Sequence, residues 1–127
     1  MINICEETNE KSNYYFNGFK KERTVLANAF SVNMLKHDGY YFFAKIDLEM
    51  AKYFVNNGEV FSIIGHKSTA DLLSAKFGIP VDANRINYVK QKNDLIILCL
   101  PSKRLEEGQV LSAEELEKFD IKFWLVK

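Results

Sequence analysis

One of the two histidines, His66, stands where an apolar run meets the start of a predicted helix, a common position for catalytic or binding residues. Residues 60–64 are mostly apolar, Gly65 follows them, and the next helix is predicted from about Ser68. Amide N–H groups at a helix start lack intrahelical acceptors and the helix dipole is positive there, so an anion is favoured. Gly65, Lys67 and Ser68 are therefore candidate ligand-binding residues. The alternative is that His66 only caps the helix or packs against its end.

Two further pairs of polar residues lie next to predicted strands. Asn28 and Ser31 follow the first strand, where their side chains either hydrogen-bond a nucleobase or ribose or satisfy a turn. Asn84 and Arg85 precede another strand, and the planar guanidinium group of arginine suits a phosphate. The alternative for Arg85 is an ordinary surface arginine.

The loop after the long apolar strand carries Arg104 and Glu107, which either face one ligand or belong to a solvated turn. The sequence has no phosphate-binding glycine motif and no cysteine or histidine pair at ligand spacing, so we predict no metal and no cofactor. Histidine and arginine are sufficient to cleave RNA, which carries its own nucleophile, the 2′-hydroxyl. The protein has to align that group, stabilise charge and protonate the leaving 5′-oxygen.

The composition is that of a small globular protein. The chain has 127 residues, of which 47% are hydrophobic and 27% charged, and its formal net charge is zero. This length supports one domain. Duplex binders carry a basic excess, so the neutral charge argues against duplex nucleic acid as a partner. Few cysteines and no apolar run of membrane-spanning length favour a cytoplasmic protein without a membrane partner.

Alternating strands and helices are predicted to position these residues. Asp47 caps a helix at 48–57, Gly78 ends a helix at 68–77, and Ser112 with Glu115 forms the capping box of a short third helix. The run at 60–64 is predicted to be a strand covered on both faces. Strands are predicted at 24–28, 40–46, 60–64, 86–90, 95–100 and 121–126, the fourth and fifth forming an antiparallel hairpin.

These elements predict an α/β fold with a mixed parallel and antiparallel sheet of about five or six strands flanked by three helices. The domain is predicted to span residues 23–127. Residues 1–22 are polar and without clear periodicity, so we predict an N-terminal extension there.

Several short segments, in their order along the chain, resemble a known family. Their sequences are NAFSVNML at 28–35, IGHKSTA at 64–70, VDANRI at 81–86, RLEEG at 104–108 and LSAEEL at 111–116. Together they are similar to the viral type III anti-CRISPR ring nucleases, which also occur in phages and mobile elements. The resemblance extends over residues 25–127.

The resemblance implies a homodimer that encloses cyclic tetra-adenylate, the messenger of type III CRISPR systems. Members of the family cut this ring without a metal to linear di-adenylates that end in a 2′,3′-cyclic phosphate, which switches off the signal. It implies that His66 is the general acid and that Arg104 and Glu107 complete the catalytic group. The matching positions for ligand contacts are Asn28, Ser31, Asn84 and Arg85.

The chain departs from the family pattern in two places, and two other functions stay open. Glu106 stands where members often have proline, and the extension is not part of the family core. One alternative is a protein that binds cyclic oligoadenylate without cutting it. The other is a small nucleic-acid-binding dimer of a mobile element, which the neutral net charge disfavours.

Overall fold

The structure, a computed structural model, describes residues 22–106 and 109–127. The predicted extension, except for Glu22, lies outside these ranges, and so does Glu107. The elements are β1 (Arg23–Ala27), a 3₁₀ turn (Val32–Met34), β2 (Phe43–Ile46), α1 (Leu48–Asn56), β3 (Glu59–Ser62), α2 (Lys67–Phe77), β4 (Asp94–Pro101), α3 (Ala113–Lys118) and β5 (Ile121–Val126). No helix within these ranges has the length and apolar character needed to cross a membrane.

The strands form one mixed sheet in the order β2-β5-β4-β1-β3. β1 lies between β3 and β4 and is parallel to both, whereas β5 is antiparallel to β4 and to β2. This sheet of five strands with three α-helices confirms the predicted α/β fold. Since parallel strands end at the same edge of a sheet, the residues that follow β1, β3 and β4 are brought together.

Apolar side chains cover both faces of the sheet. Successive residues of a strand point to opposite faces, so Leu26 and Ile97 pack against α1 and α2 on one face. Val25 and Ile96 lie on the other face, where the connecting segments contribute Tyr88 and Phe30. β4 is buried from Asp94 to Cys99, because it is a central strand with a neighbour on each side.

The local signals at helix ends predict the observed ends closely. The Asp47 side chain accepts a hydrogen bond from the Met50 N–H at 2.8 Å and begins α1. Gly78 ends α2 in the left-handed conformation, with φ of 74°, which glycine adopts at low cost. The predicted capping box is present in α3, since the Ser112 hydroxyl accepts from the Glu115 N–H at 3.1 Å and the Glu115 carboxylate accepts from the Ser112 N–H at 2.9 Å.

The predicted hairpin between residues 86–90 and 95–100 is wrong. Both edges of β4 are already paired, one with β1 and the other with β5, so no edge is left for the preceding segment. Residues 84–93 instead form an irregular connection. Tyr88 is buried in the apolar cluster on the second face of the sheet, whereas Ile86 and Val89 are exposed.

Two other strand predictions need correction. β3 lies at the edge of the sheet, so its Val60 and Phe61 are only half-buried, and the prediction that both faces are covered is wrong. Ile64 is fully buried, but it lies beyond the strand in a bridge with Ala83. β2 begins at Phe43 rather than residue 40, and Tyr40 is fully exposed.

A buried polar cluster ties the start of β1 to the start of β4 and to the 84–93 connection. The Arg23 guanidinium group donates two hydrogen bonds to the Asp94 carboxylate, at 3.0 and 2.9 Å. The Tyr88 hydroxyl and the Gln91 N–H donate to the same carboxylate. Burial alone raises the pKa of Asp94, but the hydrogen bonds from Arg23, Tyr88 and Gln91 outweigh it, so the pKa lies below its ordinary value.

Candidate functional site

A cavity of about 640 Å³ opens at the edge of the sheet where the three parallel strands end. This is the usual position of ligand sites in α/β folds, because loops from neighbouring strands diverge there. The described residues that line it are Asn28, Ala29, Ile63, Gly65, His66, Thr69, Arg85, Ile86, Pro101, Ser102, Lys103, Arg104 and Leu105.

His66 is positioned by the junction between β3 and α2. It is the N-cap residue of α2, with extended backbone angles, and its side chain makes no capping hydrogen bond to the helix. The imidazole group therefore does not cap the helix through a hydrogen bond. The half-buried imidazole lines the cavity at the positive end of the helix dipole.

Arg85 reaches the cavity because the chain runs alongside the end of β3. The Asn84 N–H donates to the Ile64 carbonyl oxygen at 2.7 Å, next to the bridge between Ile64 and Ala83. Arg85 Nη2 then donates to the Gly65 carbonyl oxygen at 3.1 Å. A Cβ atom on Gly65 would lie 3.4 Å from Arg85 Nε, so glycine allows this close approach.

Asn28 connects the end of β1 to the same glycine. Its side-chain oxygen accepts a hydrogen bond from the Gly65 N–H at 3.3 Å. This hydrogen bond uses the amide oxygen of Asn28. The hydrogen-bond donors of the side chain are the two N–H bonds of its NH₂ group. Asn28 therefore offers hydrogen-bond donors beside the cavity that His66 and Arg85 also line.

Arg104 is held by anchors on both sides of it in the loop after β4. The Ser102 N–H donates to the Asp120 carbonyl oxygen at 2.9 Å, and the Leu105 side chain is buried with Leu72 and Phe119. The Ser68 hydroxyl donates to the Glu106 carbonyl oxygen at 2.7 Å. The loop is thus bound to α2 and to the segment that follows α3, and its Arg104 lines the cavity.

The cavity has a cationic lining. Arg85, Lys103 and Arg104 contribute positive charge beside His66, and among the described lining residues there is no Asp or Glu. The positive end of α2 adds to this potential. The protein is neutral as a whole, so this charge is local and suits a small anion rather than a long duplex.

The structure brings five of the predicted site residues to the cavity: Asn28, Gly65, His66, Arg85 and Arg104. The other predicted site residues that the structure describes do not line the cavity. Ser31 is an exposed residue before the 3₁₀ turn, and Lys67 forms an ion pair with Asp71 at 2.7 Å. Ser68 binds the 102–106 loop, and the Asn84 amide donates to the Ser62 carbonyl oxygen at 2.9 Å.

Several lining residues were not predicted, among them Thr69, Ile86 and Ser102. Thr69 is three residues beyond His66, so the helical repeat places the two on neighbouring parts of one face, a signal that was available in the sequence. Ile86 and Ser102 have no comparable signal, because they belong to segments without a repeating structure.

Comparison with known proteins finds relatives in viruses and in a bacterium. A sequence profile of the STIV B116-like family matches residues 24–125. Uncharacterized protein ORF116 of Acidianus filamentous virus 1 is 35% identical over 96 residues, which cover 75% of this chain and 83% of the relative. Uncharacterized protein YddF of Bacillus subtilis is 33% identical, with coverages of 69% and 83%.

A solved structure is similar over most of the chain. B116 of Sulfolobus turreted icosahedral virus superposes with a TM-score of 0.68 and is 32% identical in sequence. The match covers 82% of this chain and 97% of that chain. The family profile, which matches residues 24–125, includes the strands and loops that form the cavity.

Proposed function

The chain belongs to the STIV B116-like family, and on that premise we propose that it is a metal-independent ring nuclease that cleaves cyclic tetra-adenylate. The observation that carries this proposal is the cationic cavity with His66 at the amino end of α2. A cyclic oligonucleotide is a compact anion with a phosphate beside every ribose. Cleavage to linear di-adenylate with a 2′,3′-cyclic phosphate switches off type III CRISPR signalling.

The proposed reaction needs only a proton donor and positively charged side chains. The ribose 2′-oxygen attacks the adjacent phosphorus, the bond from phosphorus to the 5′-oxygen breaks, and a 2′,3′-cyclic phosphate and a free 5′-hydroxyl form. His66 donates the proton that the leaving 5′-oxygen requires, and the proton of the 2′-hydroxyl leaves to solvent. Arg104 stabilises the charge on the phosphate oxygens in the transition state. Glu107 belongs to this group on the strength of the sequence resemblance.

A homodimer is part of the proposal, because a ring of four identical nucleotides has a twofold axis that a symmetric dimer matches. Exposed apolar side chains support it. Ile86 lines the cavity and is 47% exposed, and Phe43 on the second face of the sheet is also 47% exposed. A partner subunit placed over the cavity would cover Ile86 and double the number of cations around the ring.

The proposal is tested by incubating the protein with cyclic tetra-adenylate in EDTA and separating the products by chromatography. We expect linear di-adenylate with a 2′,3′-cyclic phosphate, produced in excess over the protein. Light scattering of the same sample should give twice the mass of one chain. Intact ring, recovered in proportion to the protein after denaturation, would instead identify a binding protein. A ring that neither binds nor breaks would refute both functions.

Arg85→Ala is expected to weaken binding of the ring roughly ten- to hundredfold, the contribution of a hydrogen bond between charged groups. The rate of the bound reaction should change less. A phosphate contact made equally in the ground and transition states affects affinity rather than the chemical step. Titration and single-turnover rates at saturating ring measure the two effects separately.

Lys76→Ala is the matched control for loss of a positive charge. Lys76 lies near the other end of α2, where its ammonium group donates to the Glu117 carbonyl oxygen. Its removal should leave affinity near the wild-type value. If the single-turnover rate of Arg85→Ala fell as steeply as its affinity, Arg85 would act in the chemical step instead.

A further inference from the structure

A second cavity, of about 500 Å³, lies at the opposite edge of the sheet from the first. β4 and β2 begin at this edge, and β5, which is antiparallel to both, ends there. We call this cavity the lysine pocket, because four lysines from three separate segments line it: Lys36, Lys90, Lys92 and Lys127. The described residues that line the lysine pocket do not line the cavity with His66.

Backbone hydrogen bonds join the segments that carry these lysines. The Lys90 N–H donates to the Met34 carbonyl oxygen at 2.7 Å, which ties the 84–93 connection to the segment before β2. Phe42 and Lys127 exchange two backbone hydrogen bonds, at 2.7 and 2.9 Å. The backbone of the lysine pocket is therefore ordered before a ligand binds, which lowers the entropic cost of binding.

The positive charge of the lysine pocket is only partly compensated. In the parts of the chain that the structure describes, the ammonium groups of Lys36 and Lys92 have no ion-pair or hydrogen-bond partner, and no Asp or Glu lines the pocket. The Glu22 carboxylate pairs with Lys127, but these side chains are 42% and 58% exposed, so an anion can displace the pair at low cost. An anionic ligand would replace repulsion between the lysines with attraction.

Two tyrosines add aromatic surface to the lysine pocket. Tyr40 lines it and is fully exposed. The Tyr41 hydroxyl donates to the His37 carbonyl oxygen at 2.6 Å, and the Lys90 ammonium group lies 5.8 Å from the centre of the Tyr41 ring. Exposed aromatic rings stack on nucleobases, and neighbouring cations bind the phosphates. The lining of the pocket thus favours a nucleotide over an inorganic anion.

We propose that the lysine pocket is a second ligand site, which binds a nucleoside triphosphate with its phosphates on the lysines and its base on Tyr40. Four ammonium groups around one cavity suit a ligand with several negative charges. The volume of the pocket lies in the usual range for small-molecule sites. The two cavities share no described lining residue, so this site does not depend on the proposed cleavage of the ring.

Titration of the full chain with ATP in EDTA tests the role of the lysines. The double variant Lys36→Ala/Lys92→Ala should bind ATP roughly tenfold more weakly or worse, because it removes two cations that have no other described partner. The matched control is Lys76→Ala/Lys118→Ala, which removes two lysines whose contacts are with the helical segment 114–117. The control should keep the wild-type affinity.

Two further variants test the base and the position of the site. Tyr40→Ala should weaken ATP binding roughly tenfold through loss of stacking, and should leave the affinity for inorganic tripolyphosphate unchanged. Arg85→Ala alters the other cavity and should leave ATP affinity unchanged.

Glu22→Gln is expected to strengthen ATP binding roughly two- to fivefold, because Lys127 then has no competing carboxylate. A variant that merely disturbed the fold would not gain affinity. Glu114→Gln is the matched control, since it changes the net charge equally and releases Lys118 from an exposed ion pair on α3. It should leave ATP affinity unchanged.

Three results would overturn the proposal. The first is ATP binding that is lost in Arg85→Ala and kept in the lysine double variant, which would assign ATP to the other cavity. The second is equal affinity for ATP and tripolyphosphate, since the base would then contribute nothing. The third is far tighter binding of a single-stranded oligonucleotide than of ATP at the same lysines. ATP binding is measured directly, so the test holds whether or not the protein cleaves the ring.

Discussion

Replacing His66 with alanine is expected to slow cleavage of the ring roughly 10²–10⁴-fold, the usual contribution of a positioned general acid. Affinity should stay near the wild-type value, because in the proposed complex the phosphates are bound by Arg85, Arg104 and the end of α2. The variant should therefore retain the ring in an uncut state. Single-turnover rates and equilibrium titration of the same preparation measure both quantities.

A substrate with sulfur in place of the bridging 5′-oxygen identifies the role of the proton. Thiolate leaves without protonation, so His66→Ala should recover much of its rate on this analogue. Arg104→Ala should recover less, because the phosphate oxygens still carry charge in the transition state. The other described histidine, His37, lies in an exposed segment outside the cavity, and His37→Ala serves as the control.

Two results would contradict this role for His66. If His66→Ala cleaves the natural ring at the wild-type rate, the histidine is only a residue at the helix end. If the variant is equally slow on both substrates, His66 orients the substrate or stabilises charge, and another group is the acid.

Replacing Asp94 with asparagine is expected to destabilise the fold by about 3 kcal/mol at neutral pH, roughly a hundredfold in the folding equilibrium. The Asp94 side chain is 3% exposed and accepts from Arg23, Tyr88 and Gln91. Asparagine loses the negative charge that compensates the buried part of Arg23. We expect the lower end of the range for a broken buried pair, because the Arg23 side chain is 27% exposed.

The pH dependence of this effect has a definite sign. The folded-state pKa of Asp94 lies below its ordinary value of about 3.9. Its contribution to stability is therefore present above about pH 4 and is lost as the pH falls through the lower folded-state pKa. The difference in unfolding free energy between wild type and Asp94→Asn should shrink below about pH 4.

Urea unfolding at pH 7 and at lower pH measures that difference. Asp71→Asn is the control, because Asp71 is 60% exposed in its ion pair with Lys67, and exposed pairs contribute little. If Asp94→Asn were as stable as wild type at pH 7, the polar cluster would not hold β1, β4 and the 84–93 connection together.

The sequence alone was sufficient to predict those features that depend on interactions between residues a few positions apart in the chain. Asp47, Gly78 and the pair Ser112 and Glu115 define helix ends through bonds or backbone angles that span three or four positions. The apolar run at 95–100 likewise predicts a strand, and β4 includes these residues. His66 is placed at the cavity by this local order of strand, glycine and helix.

Only the tertiary structure decided the features that depend on distant partners. The pattern at 86–90 suits a strand, but β1 and β5 occupy both edges of β4, and neither neighbour is near in sequence. Neighbouring residues of one motif also differ in their surroundings: Thr69 lines the cavity, whereas Lys67 binds Asp71 and Ser68 binds the Glu106 carbonyl oxygen. Adjacent helical residues differ by about 100° in direction, so which of them meets a ligand depends on what packs against each side of the helix.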